Sequence, residues 1–304
     1  MAVTRMNVLD MVGNTPLLSL EKMVRDVPGT RLLAKAEFSN PSGSVKDRAA
    51  KSMLLDGIRQ GLLTQGKTIL DATSGNTGIA YAMLGAALGY PVTLYLPQNA
   101  SAERKNIIRS YGAHIVETSP LEGADGAYIA AREVVDAAPG KYFYPDQYNN
   151  PANPLAHYQT TAPEIWEQTA HRITHFITGI GTSGTFVGVS RRLKELNPSI
   201  RTIAVQPDSP FHGIEGTKHM ASTIHPGIFD DTLVDDTVTV NTEAAYAATR
   251  RLAREEGIYV GISSGSNVLA ALTLARTLEK DAVVVTILCD SGMRYVSDPF
   301  WEAS

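Results

Sequence analysis

The chain has 304 residues, 43% of them hydrophobic and 19% charged, with a formal net charge of -4. That length and apolar content support a sizeable buried core in one large domain or two modest ones, and exclude a disordered chain. The mild acidity excludes the basic footprint of nucleic-acid binding, and Cys289 as the only cysteine excludes an intrachain disulfide, which fits a reducing, cytoplasmic setting.

In chain order, the residues up to Leu20 carry Arg5 and Asp10 in a broken apolar pattern, without the basic start and continuous apolar core of a signal peptide. The run Leu32–Glu37 predicts a strand. It leads into Asn40-Pro41-Ser42-Gly43-Ser44-Val45-Lys46-Asp47-Arg48, where Val45, Ala49 and Met53 at spacing four predict a helix start. Lys46 then lies in the first helical turn. There the macrodipole disfavours positive charge, and partial burial pushes the same way, toward the neutral amine that a Schiff base needs. On this turn alone, a solvated surface lysine and a reactive amine both stay open.

Thr68–Asp71 predicts the next strand, Gly78–Gly89 a helix and Val92–Leu96 a further strand. Ala72 to Ala102 holds no charged residue, but glycines and prolines interrupt it. Its helix-like run Ile79–Tyr90 covers only about 12 residues, too short to span a membrane, so it predicts buried α/β core. The first strand-to-helix turn here is Thr73-Ser74-Gly75-Asn76-Thr77-Gly78. Small polar residues at a helix start expose backbone N–H groups to a carboxylate or phosphate; ordinary capping explains one such residue, not four.

The segment Asp146–Pro154, rich in Asn and Pro and without periodicity, predicts a domain boundary near residue 150. Beyond it come a strand at Ile173–Thr178, a helix at Thr185–Leu196 stopped by Asn197-Pro198, and a strand at Thr202–Val205. A helix at Ser266–Glu279 precedes the apolar strand Ala282–Leu288. Alternating strands and helices predict a parallel α/β architecture whose ligands sit at the carboxyl ends of strands.

Two more turns carry polar helix starts. Gly179-Ile180-Gly181-Thr182-Ser183-Gly184-Thr185 matches G-x-G-x-x-G, so a dinucleotide site and an NAD-dependent oxidoreductase come into question. The following strand ends Val205-Gln206-Pro207, where a ribose calls for an acid, and Asp208 is a poor substitute. A simpler phosphate cup, in which the Thr182, Ser183 and Thr185 hydroxyls join the backbone, is favoured. Gly261-Ile262-Ser263-Ser264-Gly265-Ser266-Asn267 is generic alone. Together the turns predict a phosphorylated anion reactive toward a lysine amine.

With Gly13-Asn14-Thr15-Pro16, Asp146-Gln147-Tyr148-Asn149-Asn150-Pro151, Ala156-His157-Tyr158, Pro163-Glu164-Ile165-Trp166 and Cys289-Asp290 before Arg294-Tyr295, these turns resemble the cysteine synthase/cystathionine β-synthase family. These are fold-type II pyridoxal 5'-phosphate enzymes, and the resemblance covers essentially the whole chain, leaning to the B-type cysteine synthases. It implies two three-layer α/β/α lobes of tryptophan synthase β type with mostly parallel sheets. Residues 36–150 would form the smaller lobe and residues 1–35 plus 151–304 the larger one, which carries the phosphate cup, with the active site in the cleft between them. It implies that Lys46 holds the cofactor as an aldimine and serves as acid and base at the substrate α-carbon. Asn76 would bond the pyridoxal 3′-oxygen, Gly181, Thr182, Ser183, Gly184 and Thr185 would cradle the phosphate, and Ser263 would face the pyridine nitrogen. Thr73, Ser74, Thr77 and Gln147 would grip the substrate carboxylate.

The implied reaction is β-replacement through an aminoacrylate. O-acetyl-L-serine and sulfide, or thiosulfate, become L-cysteine, or S-sulfocysteine, and acetate in a cytoplasmic homodimer that holds no metal. A serine opposite the pyridine nitrogen leaves the ring a weaker electron sink than an aspartate would, which suits loss of a β-substituent. Condensation of serine with homocysteine is the alternative within the family, and a non-catalytic binding member is a third possibility. Glu215-Gly216 stands where some B-type relatives carry basic residues, with Lys218 and His219 just beyond, so the sulfur donor stays open. His171 and His175 read as structural or surface histidines, and Cys289 as a buried small hydrophobe.

Overall fold

The computed structural model describes residues 6–27, 29–73 and 75–302. Its elements begin with β1 Leu17–Ser19, β2 Arg31–Ala36, α1 Lys46–Arg59, β3 Thr68–Ala72, α2 Asn76–Leu88, β4 Val92–Pro97, α3 Ala102–Ser110, β5 His114–Thr118, α4 Gly123–Ala137 and β6 Tyr142–Phe143. They continue with α5 Ala152–Ala156, α6 Ala162–Gln168, β7 His175–Gly179, α7 Gly184–Leu196, β8 Arg201–Pro207, β9 Asp236–Val240, α8 Thr242–Arg251, α9 Ile262–Ala275 and β10 Val283–Leu288. The chain divides into two units. One comprises the residues up to Val12 together with Asn40–Asn153; the other comprises Gly13–Ser39 and the residues from Pro154 onward.

The first unit is built on a parallel sheet in the order β5-β4-β3-β6. Its core joins Met53 and Leu54 of α1 to Ile79 and Leu84 of α2 and to Ile69 and Leu94 of the sheet. Helix α2 is buried along Thr77–Gly85, which accounts for the absence of charge in this stretch: its neighbours are protein on every side. Gly85 permits that closeness, since a Cβ there would lie 2.3 Å from Val92 Cγ2. Gly89, at φ 76°, then ends the helix in the left-handed conformation.

The second unit carries a sheet in the order β1-β2-β10-β7-β8-β9, parallel except for the antiparallel edge pair β1–β2. Every residue of β10 is buried, as its unbroken apolar run predicts for a strand covered on both faces. Three elements begin two or more residues from their predicted starts. Helix α2 starts at Asn76 instead of Gly78. Strand β7 starts at His175 instead of Ile173; Thr174 just before it is tied to Val283 by its N–H (2.9 Å to the carbonyl) and by its hydroxyl (3.0 and 3.1 Å). Helix α9 runs Ile262–Ala275 instead of Ser266–Glu279. The polar residues that read as loop are buried in its first turns, with Ser264 Oγ accepting from Cys289 N at 2.8 Å.

Within this unit Lys35, fully buried on β2, meets Glu164 Oε2 of α6 at 2.6 Å and donates to the Thr15 carbonyl (2.6 Å) and Gln168 Oε1 (2.9 Å). Glu164 Oε1 in turn accepts from Asn14 N at 3.0 Å, so the Gly13–Pro16 turn is pinned by a buried charge pair. Removing one member of such a pair strands its partner in a medium that cannot solvate it. Glu164→Ala is expected to lower stability by about 3 kcal/mol, while the apolar double replacement Lys35→Met/Glu164→Met recovers more than half of that loss. Urea denaturation of the wild type and both variants checks this.

Candidate active site

In the first unit, Gly43 at φ 86° turns the chain after Asn40, and Gly43 N donates to the Asn40 carbonyl at 2.7 Å. The turn is held by the wholly buried Asp47, whose carboxylate accepts from Ser42 N (2.7 Å) and from the Ser42 hydroxyl. This bracing places half-buried Lys46 as the first residue of α1, with its own N–H directed at Ser44 Oγ (3.3 Å). The carboxylate of Asp47 suits a helix N-terminus, whereas Lys46 beside it does not gain from that field.

The turn after β3 is anchored by Thr73 N, which donates to the Tyr95 carbonyl (3.0 Å), and by Thr73 Oγ1, which accepts from Gly75 N (3.4 Å). Asn76 opens α2, and the N-cap position is Gly75, which offers no capping side chain. The Thr77 hydroxyl donates to Gln147 Oε1 at 2.9 Å, leaving Nε2 as the donating end of that amide. Gln147 is buried, and its backbone carbonyl is fixed by Asn153 Nδ2 at 2.7 Å. Thr77 and Gln147 therefore meet in this unit, with Thr73 and Asn76 on the same turn as Thr77. Ser74 lies outside the described residues.

In the second unit, Gly181 to Thr185 form the loop and first turn at the C-terminal end of β7. Gly181 is required there because a Cβ would stand 2.2 Å from the Gly216 carbonyl oxygen. Ser183 occupies the N-cap of α7 at φ 70°, caps nothing with its side chain, and holds a buried Oγ without a hydrogen-bond partner. A buried hydroxyl in strained backbone at an uncapped 13-residue helix asks for an anion, and a phosphate group fits it. Ser263 sits buried in the first turn of α9, another helix without a side-chain cap.

Two residues whose roles the turn motifs did not reveal position this loop. Asn267 of α9 accepts from Gly179 N (2.7 Å) and donates to the Ile287 carbonyl (2.9 Å), tying the loop's root to two strands and a helix. His157 lies in the π-helical turn His157–Thr161 and joins Thr161 Oγ1 (2.9 Å) to the Thr185 hydroxyl (3.3 Å). That approach depends on Gly188 of α7, where a Cβ would come within 2.1 Å of the Pro154 carbonyl. A wide helical turn of this kind is frequent at functional sites, but sequence periodicity does not disclose it.

The remaining candidates have plainer settings. Gln206, at the position where a dinucleotide ribose would need an acid, accepts from Met220 N at 3.0 Å. Lys218 N donates to the Ile180 carbonyl (2.7 Å), so its backbone secures the cup; Glu215 is exposed and His219 bonds Ser222 Oγ at 2.8 Å. His171 stacks on Trp166 and contacts Glu167, and His175 contacts Thr174. Cys289 is half-buried instead of fully enclosed, with its sulfur accepting from Asn267 Nδ2 at 3.4 Å.

Residues 8–290 match the family described as pyridoxal-phosphate dependent enzyme, and the chain belongs to that family. Within it, the chain is 54% identical over 298 residues to a cysteine synthase of Aquifex aeolicus, covering 96% of this chain and 91% of the relative. It is 44% identical over 286 residues to cysteine synthase B of Escherichia coli, covering 94% and 93%. The crystal structure of a cysteine synthase from Entamoeba histolytica superposes with a TM-score of 0.94 at 35% identity, covering 100% of this chain and 93% of that one. The architecture is fold-type II, and the cofactor is pyridoxal phosphate. Gly181→Ala is expected to weaken cofactor affinity about tenfold or more, because overpacking of about 1–3 kcal/mol falls directly on the loop. Titration of the apoenzyme with pyridoxal phosphate, followed by cofactor fluorescence, measures it.

Proposed function

We propose that the chain converts O-acetyl-L-serine and sulfide to L-cysteine and acetate. What supports this reading is, in the second unit, the hydroxyl-bearing loop left uncapped at Ser183 and, in the first unit, Lys46 at the start of α1 and the Thr77–Gln147 pair.

Lys46 would hold the cofactor through Nζ, with Asn76 oriented toward its 3′-oxygen, Gly181 to Thr185 around its phosphate and Ser263 facing its ring nitrogen. Bound pyridoxal phosphate supplies the electron sink that lets the substrate Cα–H bond break and acetate depart from Cβ. Lys46 Nζ takes the α-proton and later returns it to the product. Thr73 and Gln147 Nε2 would hold the substrate carboxylate, with Ser74 joining them and the Thr77 hydroxyl orienting the Gln147 amide toward it. Burial of Gln147 keeps that grip dry, where each donor is worth more than in water. The Ser263 hydroxyl, unlike a carboxylate, does not fix a proton on the ring nitrogen, which favours expulsion of a β-substituent over prolonged carbanion chemistry. Family resemblance supports a homodimer working in the cytoplasm, and among the described residues no helix is long and apolar enough to cross a membrane.

The holoenzyme is tested with O-acetylserine and then with sulfide or thiosulfate, following acetate, cysteine and S-sulfocysteine. Acetate release followed by cysteine on adding sulfide is expected, and the thiosulfate arm reports whether that donor is also accepted. No acetate release, or turnover of serine with homocysteine in its place, overturns the assignment. Lys46→Ala is expected to lower kcat by roughly 10³-fold, the scale of positioned acid–base catalysis. Thr77→Val, which removes one hydrogen bond to the carboxylate set, is expected to raise KM for O-acetylserine by about tenfold.

A further inference from the structure

Asp71 is the penultimate residue of β3 and stands two residues before Thr73. It is 2% exposed; Oδ1 accepts from Ala72 N at 2.7 Å, and Oδ2 is buried without a hydrogen-bond partner. The Tyr81 hydroxyl, from α2 above, is directed toward Met53 Sδ at 3.9 Å and lies near enough to Asp71 to offset part of the effect of burial by hydrogen bonding. From the segment after β6, Tyr144, Asp146 and Tyr148 bear on the same carboxyl, and that segment also carries Gln147. Tyr95 of β4 pairs in register with Ala72, and α4 contributes Asp125, Tyr128 and Arg132 around Tyr144 and Tyr148. Asp146 directs its own carboxylate at Asn149 Nδ2 (3.0 Å). Both arms of the carboxylate grip, the Thr73–Thr77 turn and Gln147, are thus rooted beside one buried acid that the reaction itself does not use.

An ionised carboxylate with a buried oxygen and few partners is disfavoured, so the pocket shifts Asp71 toward the neutral acid. We propose that Asp71 is a positioning residue that carries a proton when the enzyme binds its amino-acid substrate, and that loss of this proton puts a negative charge beneath the carboxylate grip and loosens it. The proposal rests on the reading of that turn as the substrate-carboxylate site. Burial pushes Asp71 up from 3.8 to about 7, with the Ala72 N–H opposing, Asp146 adding to the rise and Tyr81 opposing. The sign follows: below neutrality the acid is neutral and binding is tight, and above it the charge repels the substrate carboxylate. By linkage, a bound carboxylate raises the pH at which Asp71 ionises.

In the holoenzyme, KM for O-acetylserine should rise on the order of tenfold from about pH 6 to about pH 8.5, while Asp71→Asn stays within about twofold across that range. An Asp71→Asn variant that follows the wild-type pH profile overturns the proposal. So does one whose KM is raised equally at every pH, which marks a contribution of shape alone. Wild-type holoenzyme supplies a readout without turnover and without a variant that must fold. The infrared band of the buried carboxylic acid, assigned with labelled aspartate, should fade as pH rises through neutrality, and L-serine should move that midpoint upward. A midpoint that L-serine leaves in place overturns the proposal. If Thr77→Val leaves KM for O-acetylserine unaltered, the turn itself has been misread, whatever Asp71 does.

Discussion

A helix N-terminus presents N–H groups that no residue of the helix can satisfy, and something must accept from them. In this protein α1, α2, α7 and α9 all begin without a side-chain cap, at Val45, Gly75, Ser183 and Gly261. Helices α3 and α8, which carry no candidate site residue, are closed by Ser101 and Asn241. Helix α4 is also uncapped but places Asp125 in its first turn. The helix starts without a side-chain cap thus include the turns that carry Lys46, Asn76, Ser183 and Ser263. The phosphate and carboxylate of the proposed chemistry are the groups such helix ends would receive.

Leaving helix ends open requires that the loops around them be held by other means. Asp47 braces the lysine turn by accepting from Ser42, Asn267 fastens Gly179, and His157 fixes the Thr185 hydroxyl. Each is nearly or wholly buried, so its hydrogen bonds operate away from water, where an unmade bond is most unfavourable. Glycines do the complementary work. Gly181 and Gly188 remove the side chains that would hold Gly216 and Pro154 apart from the cup. The buried Lys35–Glu164 pair follows the same logic further away, fixing the Gly13–Pro16 turn by a contact that is far costlier to break on one side than to replace on both.

Much of this was legible in the chain itself. Alternating apolar runs and polar, glycine-bearing turns determine a parallel α/β architecture, because an unbroken run such as Val283–Leu288 satisfies a strand buried on both faces and little else. The same turns, joined to Lys46, determine the family and its cofactor. Local patterns carry that information because each turn's chemistry resides in adjacent residues. Periodicity erred where polar residues are buried: Ser263 and Ser264 read as loop ahead of a helix starting at Ser266, yet both lie in the first turn of α9, where Ser264 Oγ accepts from Cys289 N just beyond β10.

Tertiary structure alone decided the contacts made over long sequence separations. Thr77 meets Gln147 seventy residues away, Gly179 meets Asn267 eighty-eight away, and His157 reaches Thr185 only because a π-helical turn and Gly188 bring them together. The state of Asp71 belongs to the same class. Its sequence context, a single acid ending an apolar strand, is unremarked, and only the closing of α2 and the segment after β6 around it removes the water that would keep it ionised. Protonation is set by what surrounds a group in space, so the residue that sequence leaves plainest is the one whose chemistry folding changes most.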